Sequence, residues 1–438
     1  MRAYPARLEW LIVTAPHRTR AGRCLLGGLV LLIFLVVLLA WPSATPPPPP
    51  PPATLAPTAV LSWIERAGNV SLARDCGYSA PLPAAPGRSL WLFCDTPVYV
   101  RAAGGRPAWA LRRFITGSTA AEGPVAAGPG TAARRPGPLS EVGTPRRSTA
   151  AVPGAPAARA SAARAAAAGG GPAPFLGPPA GLVTPAGLPC RSGGGYAASW
   201  VSGVTAVPSS PDLLITFTNY CVLGGHGGYL PEGFGLAEYD PATRTLSRGV
   251  TVFSGMNLGL TTPAWLLGSP VFSGSYLYLF GPTCTAQSYG RCATGTLFEA
   301  RVPANPAAWT DPLRYRWRSG GPLGPWTPDA TAASSVITGA KPYGVSVAGF
   351  PAAGRRFVLV EQTDIGGAFT VYESPAPAGA WTRIGSGRVP CRAGPGFANF
   401  CRAIIGHPEL STPAQLVLSY FNPAAAARGH VMVAGFQW

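Results

Sequence analysis

The sequence predicts an all-β fold: a five-bladed β-propeller ectodomain behind a single N-terminal transmembrane helix. Three observations lead there. Short apolar runs ending in polar or turn residues recur along the chain, and most are followed by an amphipathic strand. A strand of alternating small and apolar residues precedes each one. Helical periodicity of any length is missing outside one apolar segment near the N-terminus.

Residues 1–23 are a basic cytoplasmic tail ending in Arg18, Arg20 and Arg23. Residues 24–41, CLLGGLVLLIFLVVLLAW, carry no charge. At about 1.5 Å per residue they nearly span a bilayer core of roughly 30 Å. No positive charge follows until Arg66, so the positive-inside rule sets the rest of the chain outside the cell membrane as a single-pass protein. A cleaved signal peptide is the alternative. Its charged leader would be very long, and PSA at 42–44 is a poor cleavage site. Residues 42–56 are a Pro-rich linker, and the seven consecutive prolines at 46–52 predict a stiff polyproline II spacer.

Residues 57–438 form the propeller ectodomain. The apolar runs are LWLFCDT (90–96), LLITFTNYC (213–221), LYLFGPTC (277–284), FVLVEQTD (357–364) and LVLSYFN (416–422). Second strands follow in FGLAEYDP (234–241), GTLFEARVP (295–303), FTVYESPA (369–376) and HVMVAGF (430–436). Small-residue strands precede them in VSGVTAVP (201–208), LLGSPVF (266–272), YGVSVAGF (343–350) and AIIGHPEL (403–410). The first unit runs VSLARDCGYSA (70–80) into SLWLFCDT. Small side chains suit strands crowded by neighbouring backbone, as at a propeller axis. Five blades of about four strands account for the ectodomain, and a β-sandwich of similar strand count is the alternative. Residues 122–172 are Ala, Gly, Pro and Arg with few aromatic or β-branched residues, and they read as a disordered insert.

Eight of the nine cysteines lie beyond the apolar segment, an even count that reads as disulfides in an exported domain. Pairing of sequential neighbours, Cys76–Cys94, Cys190–Cys221, Cys284–Cys292 and Cys391–Cys401, keeps each loop within one hairpin or blade. The net charge is +17. Five Arg and one Glu lie in residues 1–44, and ten Arg and two Glu in 101–172, which leaves 19 basic against 14 acidic residues elsewhere. The basicity therefore belongs to a tail and an insert, and nucleic acid is rejected as the main partner. No Cys-x-x-Cys pair, nucleotide-binding loop or metalloprotease motif occurs, so no cofactor or metal is expected. The expected partners are the membrane and cell-envelope polysaccharide, with the chain a monomer.

The residues RDCGYSAPLP and GRSLWLFCDT within 74–96, FGLAEYDP, CRAIIGHPELS (401–411) and the closing GHVMVAGFQW carry a family resemblance. The chain resembles actinobacterial exported proteins of the domain of unknown function 4185. That group is similar to five-bladed propeller glycoside hydrolases, some of them endo-acting D-arabinofuranases that cut mycobacterial cell-wall arabinan. The resemblance covers most of residues 57–438 outside the insert. It implies glycine where Cys76 and Cys94 stand, so that two neighbouring strands have gained a matched pair of cysteines.

Glycoside hydrolysis needs two carboxyl groups, about 5–5.5 Å apart in retaining enzymes and about 6.5–9.5 Å apart in inverting ones. Asp75 lies in the first small-residue strand and is expected as base or nucleophile. Glu409, in GHPEL at the matching point of the last unit, approaches Asp75 if first and last blades meet, and is expected as general acid. Asp95 ends the next strand and either tunes Asp75 or closes its own turn before Pro97. His407, two residues before Glu409, is a substrate-binding or a structural histidine. Arg402 pairs with a funnel carboxylate or lies on the surface. Glu361 and Asp364 match Asp95 by repeat position, Glu361 as a fourth candidate for the catalytic pair and Asp364 as a substrate contact, and Glu232 sits among aromatic neighbours as a sugar contact. Glu238, Asp240, Glu299 and Glu373 read as solvated faces. The rivals to a hydrolase are a non-catalytic propeller that binds glycan or protein and a purely structural envelope protein.

Overall fold

A computed structural model describes residues 53–438 apart from 56, 62–65, 68–69, 102–108, 128–133, 148–170, 179–180, 183–188, 191–193, 225–227, 255–265, 289, 394–399 and 425–428. The basic tail, the apolar segment 24–41 and residues 42–52 of the linker lie outside the described residues. Among the described residues no helix is long and apolar enough to cross a membrane.

Among the described residues the fold is all-β, in six sheets. Sheet one runs from Cys76–Pro81 through Arg88–Phe93 to Thr119–Ala127, with Arg134–Pro136 and Ser140–Glu141 on its outer edge. Sheet two starts at Tyr196–Ala206 and continues through Leu213–Val222, Tyr229–Asp240 and Thr245–Ser254 to a parallel outer strand, Arg146–Arg147. Sheet three starts at Gly268–Ser273 and ends at Trp326–Thr327, and sheet four starts at Gly344–Phe350. Sheet five starts at Arg402–Gly406 and continues through Gln415–Asn422 and His430–Gln437. A smaller side sheet joins Arg66–Ala67, Val70–Leu72, Thr96–Arg101 and Trp109–Ile115.

The first five sheets are linked cyclically by their cores. Leu90 and Leu92 of sheet one pack with Leu213 and Ile215 of sheet two. Leu214 and Phe234 of sheet two meet Leu277 and Phe298 of sheet three. Phe280 of sheet three meets Val345 and Leu359 of sheet four, and Val358 and Val360 meet Leu416 and Leu418 of sheet five. Val417 and Val433 of sheet five then meet Trp91 and Phe93 of sheet one. Each apolar run is continuous because both faces of its strand are covered, one set of alternate residues going to each neighbour. Full burial of one such side chain is worth about 1.5–3 kcal/mol.

The N-terminal strands complete the outer edges of the last two sheets. Ala53–Leu55 pairs in parallel with Thr382–Arg388, and Pro57–Leu61 pairs with His430–Gln437. Three linker residues are thus part of the fold, a correction to the linker boundary at 56. The insert boundary is corrected too. Within 122–172, residues 122–127 and 134–136 are strands of sheet one and Arg146–Arg147 edges sheet two. A composition poor in side-chain payload still forms strands when a sheet edge supplies the hydrogen bonds. The first unit also divides: Val70–Leu72 belongs to the side sheet, while Cys76–Pro81 is the inner strand of sheet one.

Candidate functional site

Four disulfides form, Cys76–Cys94, Cys190–Cys221, Cys284–Cys292 and Cys391–Cys401. The first one organises the site. Its Cα atoms are 5.4 Å apart, and Asp75 and Asp95 stand one residue outside it on each strand. The Cys94 N–H donates to the Asp75 carbonyl at 2.9 Å, closing the ladder there. Cys76 has φ 68°, the left-handed region, which costs a non-glycine residue roughly 1–2 kcal/mol. The glycine implied by the family resemblance is the residue that this conformation favours.

The two carboxylates meet different surroundings. Asp75 accepts a hydrogen bond from Arg402 Nε at 2.5 Å and one from the Cys76 N–H at 2.7 Å. Its side chain keeps 22% exposure, enough to be reached from solvent. The Arg402 guanidinium lies over the rings of Phe421 and Phe400, at 3.9 and 5.0 Å from their centroids. Asp95 is held by three donors: the Tyr196 hydroxyl at 2.5 Å, Trp200 Nε1 at 2.9 Å and the Gly117 N–H at 2.8 Å. Burial pushes its carboxyl up to about 6, with Asp75's charge adding to the shift and the three donors opposing it. The Tyr196 phenol is pushed up by burial and by the charges of both Asp95 and Asp75, while Arg402 opposes. One phenol therefore feels all three charged groups.

Sheet two supplies the aromatic donors. Tyr196 and Trp200 are four apart on its inner strand and share one face. Tyr220, on the neighbouring strand, pairs with Ala198 between them and packs on Trp200 at 4.5 Å. Gly117 has φ +88°, and a Cβ there would meet the Leu176 carbonyl at 2.8 Å, so only glycine brings its N–H to Asp95.

Glu409 is not beside Asp75. Its carboxylate accepts from Ser79, and Ser79 Oγ lies 2.6 Å from His407 Nδ1. Ser79 is four residues beyond Asp75, past the register shift at Cys76–Tyr78 on the inner strand. Arg402 and Glu409 bracket the inner strand of sheet five, which runs alongside that of sheet one, so they reach its two different ends. Burial pushes Glu409 up, but the bond and charge of His407 and the bond from Ser79 outweigh it and hold the carboxyl below its ordinary range. That is the opposite of a general acid, and the expected Asp75–Glu409 pair is corrected on both counts. His407 is fully buried and stacks on Trp91 at 4.8 Å.

The remaining candidates lie apart. Glu361 is 2% exposed and takes the Lys341 N–H and the Tyr372 hydroxyl. Asp364 closes a turn through the N–H groups of Gly366 and Ala368 and pairs with Arg388 at 2.9 Å. Glu232 is buried with Oε1 unpartnered, and burial pushes it up to about 7. Glu238 and Glu299 are buried and paired with Arg248 and Arg318, not solvated. Neighbouring sheets cover both faces of their strands, so an alternating carboxylate lands between sheets. Tyr196, Trp200 and Gly117 are functional candidates that do not stand out among the carboxylates of the sequence. The signal for two of them was GYAASW (195–200), with large polar-tipped aromatics four apart in a strand.

No protein-family model matches the chain, and no curated protein matches it. Solved structures resemble it in fold. A protein described as a hydrolase from Bacteroides ovatus has a TM-score of 0.49 and 13% identity, covering 87% of this chain and 93% of its own. A family 117 glycoside hydrolase from Zobellia galactanivorans has a TM-score of 0.40 and 8% identity, covering 88% and 90%. A GH43 enzyme from Xanthomonas citri, complexed with xylotriose, has 0.37 and 12%, covering 86% and 90%. Likenesses at this level carry no residue roles over to this chain.

Proposed function

We propose that the chain is a membrane-anchored, extracytoplasmic five-bladed β-propeller of the domain of unknown function 4185 type, and that it hydrolyses an arabinan-like polysaccharide of the cell envelope. The observation behind it is the Asp75–Asp95 pair, pinned on the two sides of the Cys76–Cys94 bridge in contrasting surroundings. Two carboxyl groups whose environments set them apart are what acid–base cleavage of a glycoside requires. The anchor rests on the uncharged residues 24–41 behind Arg18, Arg20 and Arg23. The blade count rests on five sheets whose cores close a ring.

Asp95, the carboxyl raised to about 6, donates its proton to the glycosidic oxygen as the C–O bond breaks. Asp75, partnered by Arg402, acts on the sugar as nucleophile or takes a proton from the attacking water. Water supplies the hydroxyl of the new reducing end, and its other proton passes to the pair and replaces the one that Asp95 gave to the leaving oxygen. These roles replace Glu409 by Asp95 as the acid.

One observation favours a second reading, a non-catalytic glycan-binding propeller. Both Asp95 oxygens already accept bonds from Tyr196, Trp200 and Gly117, as a purely structural carboxylate would. Incubation of the full-length chain with arabinan, arabinoxylan and xylan, followed by an assay for new reducing ends, separates the two. New ends from arabinan support the hydrolase. Binding without new ends from any polymer supports the second reading.

A further inference from the structure

Each oxygen of Asp95 is held by an aromatic donor, and each donor is touched by an exposed ring. Tyr196, on Oδ2, meets Phe114 edge-on at 5.5 Å. Trp200, on Oδ1, meets Tyr229 edge-on at 5.3 Å. Tyr229 also meets Tyr220 at 5.3 Å. Among the described residues the exposed large apolar side chains are Leu111, Phe114, Tyr229, Leu313 and Leu323. Only two of these are aromatic, and both stand against the residues that hold Asp95. Phe114 is 41% and Tyr229 40% exposed.

The two rings come from different parts of the fold. Phe114 belongs to the outer strand of the side sheet, Trp109–Ile115, whose hairpin springs from Asp95 and is tied back to it by the Gly117 N–H. Tyr229 begins the third strand of sheet two. Both are thus linked to one carboxylate through a single intervening aromatic donor each. An exposed ring keeps an apolar face in water at a cost, and large rings with a polar neighbour are what concave carbohydrate-sized sites use to fix a ligand.

We propose that Phe114 and Tyr229 are stacking platforms for two sugar rings of one carbohydrate chain, placed to either side of Asp95. This rests on the reading of Asp75 and Asp95 as the reacting carboxylates and adds what holds the chain across them. The ligand class is an oligosaccharide or polysaccharide whose rings present a C–H face, and a single sugar engages only one platform. Neither ring is part of the acid–base machinery.

The test is affinity electrophoresis of the full-length chain through gels containing arabinan, arabinoxylan or xylan. An Asp75→Asn background keeps the polymer intact. Phe114→Ala and Tyr229→Ala are each expected to weaken retention by about tenfold. Phe114→Tyr and Tyr229→Phe are expected to keep it, which guards against a variant that merely folds badly. Retention of both alanine variants as strong as that of the Asp75→Asn chain itself overturns the proposal, and so does failure of the Asp75→Asn chain to be retained by any of the three gels. Retention that depends on both rings, with no hydrolysis by the unsubstituted chain, supports the platforms and overturns the catalytic reading alone.

Discussion

Arg402 donates its Nε to Asp75 Oδ2 at 2.5 Å, joining the inner strand of sheet five to that of sheet one across 327 residues of sequence. The contact lies between the first and the last of the five linked sheets, so bringing those two sheets together and positioning Asp75 are one event. Arg402→Leu removes the partner that aims this carboxylate. The pair is partly exposed and contributes at most about 1 kcal/mol to stability. Misplacing a reacting group by about 1 Å costs on the order of 100-fold in rate. The variant is expected to melt near the unsubstituted chain and to lose about 100-fold in kcat/KM on arabinan. Arg402→Lys is expected to restore little, because a lysine cannot hold the carboxylate from a planar guanidinium stacked on Phe421.

The acid role of Asp95 has a pH signature. Its carboxyl titrates at about 6 in the folded chain, and only the protonated form delivers a proton. A plot of kcat/KM against pH is expected to fall as pH rises through about 6. Tyr196→Phe removes a donor that opposes the upward shift, so the falling limb moves to higher pH. A limb that stays in place separates Asp95 from the acid role.

The same shift makes a stability prediction. Because the folded-state value lies above the ordinary one, the folded chain binds this proton more tightly than the unfolded chain does. The contribution to stability is fully present below about pH 4 and is lost as pH rises through about 6. Asp95→Asn removes the buried charge. Between about pH 4 and about pH 8 it is expected to gain up to about 3 kcal/mol on the unsubstituted chain, from roughly two pKa units at 1.36 kcal/mol each, set against a pH-independent cost of turning its amide toward one of the three donors. Thermal melts at the two pH values check the difference.

Glu409→Gln tests the corrected assignment. Glu409 holds Ser79 and His407 in a buried network away from Asp75. Its amide leaves that network with a wrongly placed donor, at a cost of about 1–3 kcal/mol. Hydrolysis is expected to stay within about threefold of the unsubstituted chain at temperatures below the melt. A loss of activity larger than the loss of folded protein would return Glu409 to the mechanism.

Cys76 allows the bridge and the backbone to be separated. Removing the Cys76–Cys94 crosslink, which spans 18 residues, costs about 3 kcal/mol in the chain-entropy account. Cys76→Gly with Cys94→Ser is expected to be about 1 kcal/mol more stable than Cys76→Ser with Cys94→Ser, since glycine adopts φ 68° without strain. Urea midpoints of the two double variants measure it.

Much of the architecture is legible in the sequence because the ring repeats one physical unit. Leu90 and Leu92 face one neighbour and Trp91 and Phe93 the other, so a strand covered on both sides reads as an unbroken apolar run. The outer strands are not legible. Arg146–Arg147 and Ala53–Leu55 are short and join a sheet edge by backbone pairing, with Leu55 the single side chain among them that enters a core. The site divides the same way. Asp75 and Asp95 stand out because acids are scarce and the two flank paired cysteines. Glu409 misleads because sequence places it in the right sheet but cannot say which end of the inner strand it reaches. Arg402 opens that strand and Glu409 lies three residues past its end, and that separation decides which of them meets Asp75.

The most direct measurement is the release of reducing ends from arabinan by the full-length chain, compared with its Asp75→Asn and Asp95→Asn variants. Cleavage by the unsubstituted chain, with a fall of at least about 100-fold in each variant, is the predicted result. Cleavage that survives both substitutions, or no cleavage of any envelope-type polysaccharide by the unsubstituted chain, would contradict Asp75 and Asp95 as a catalytic pair.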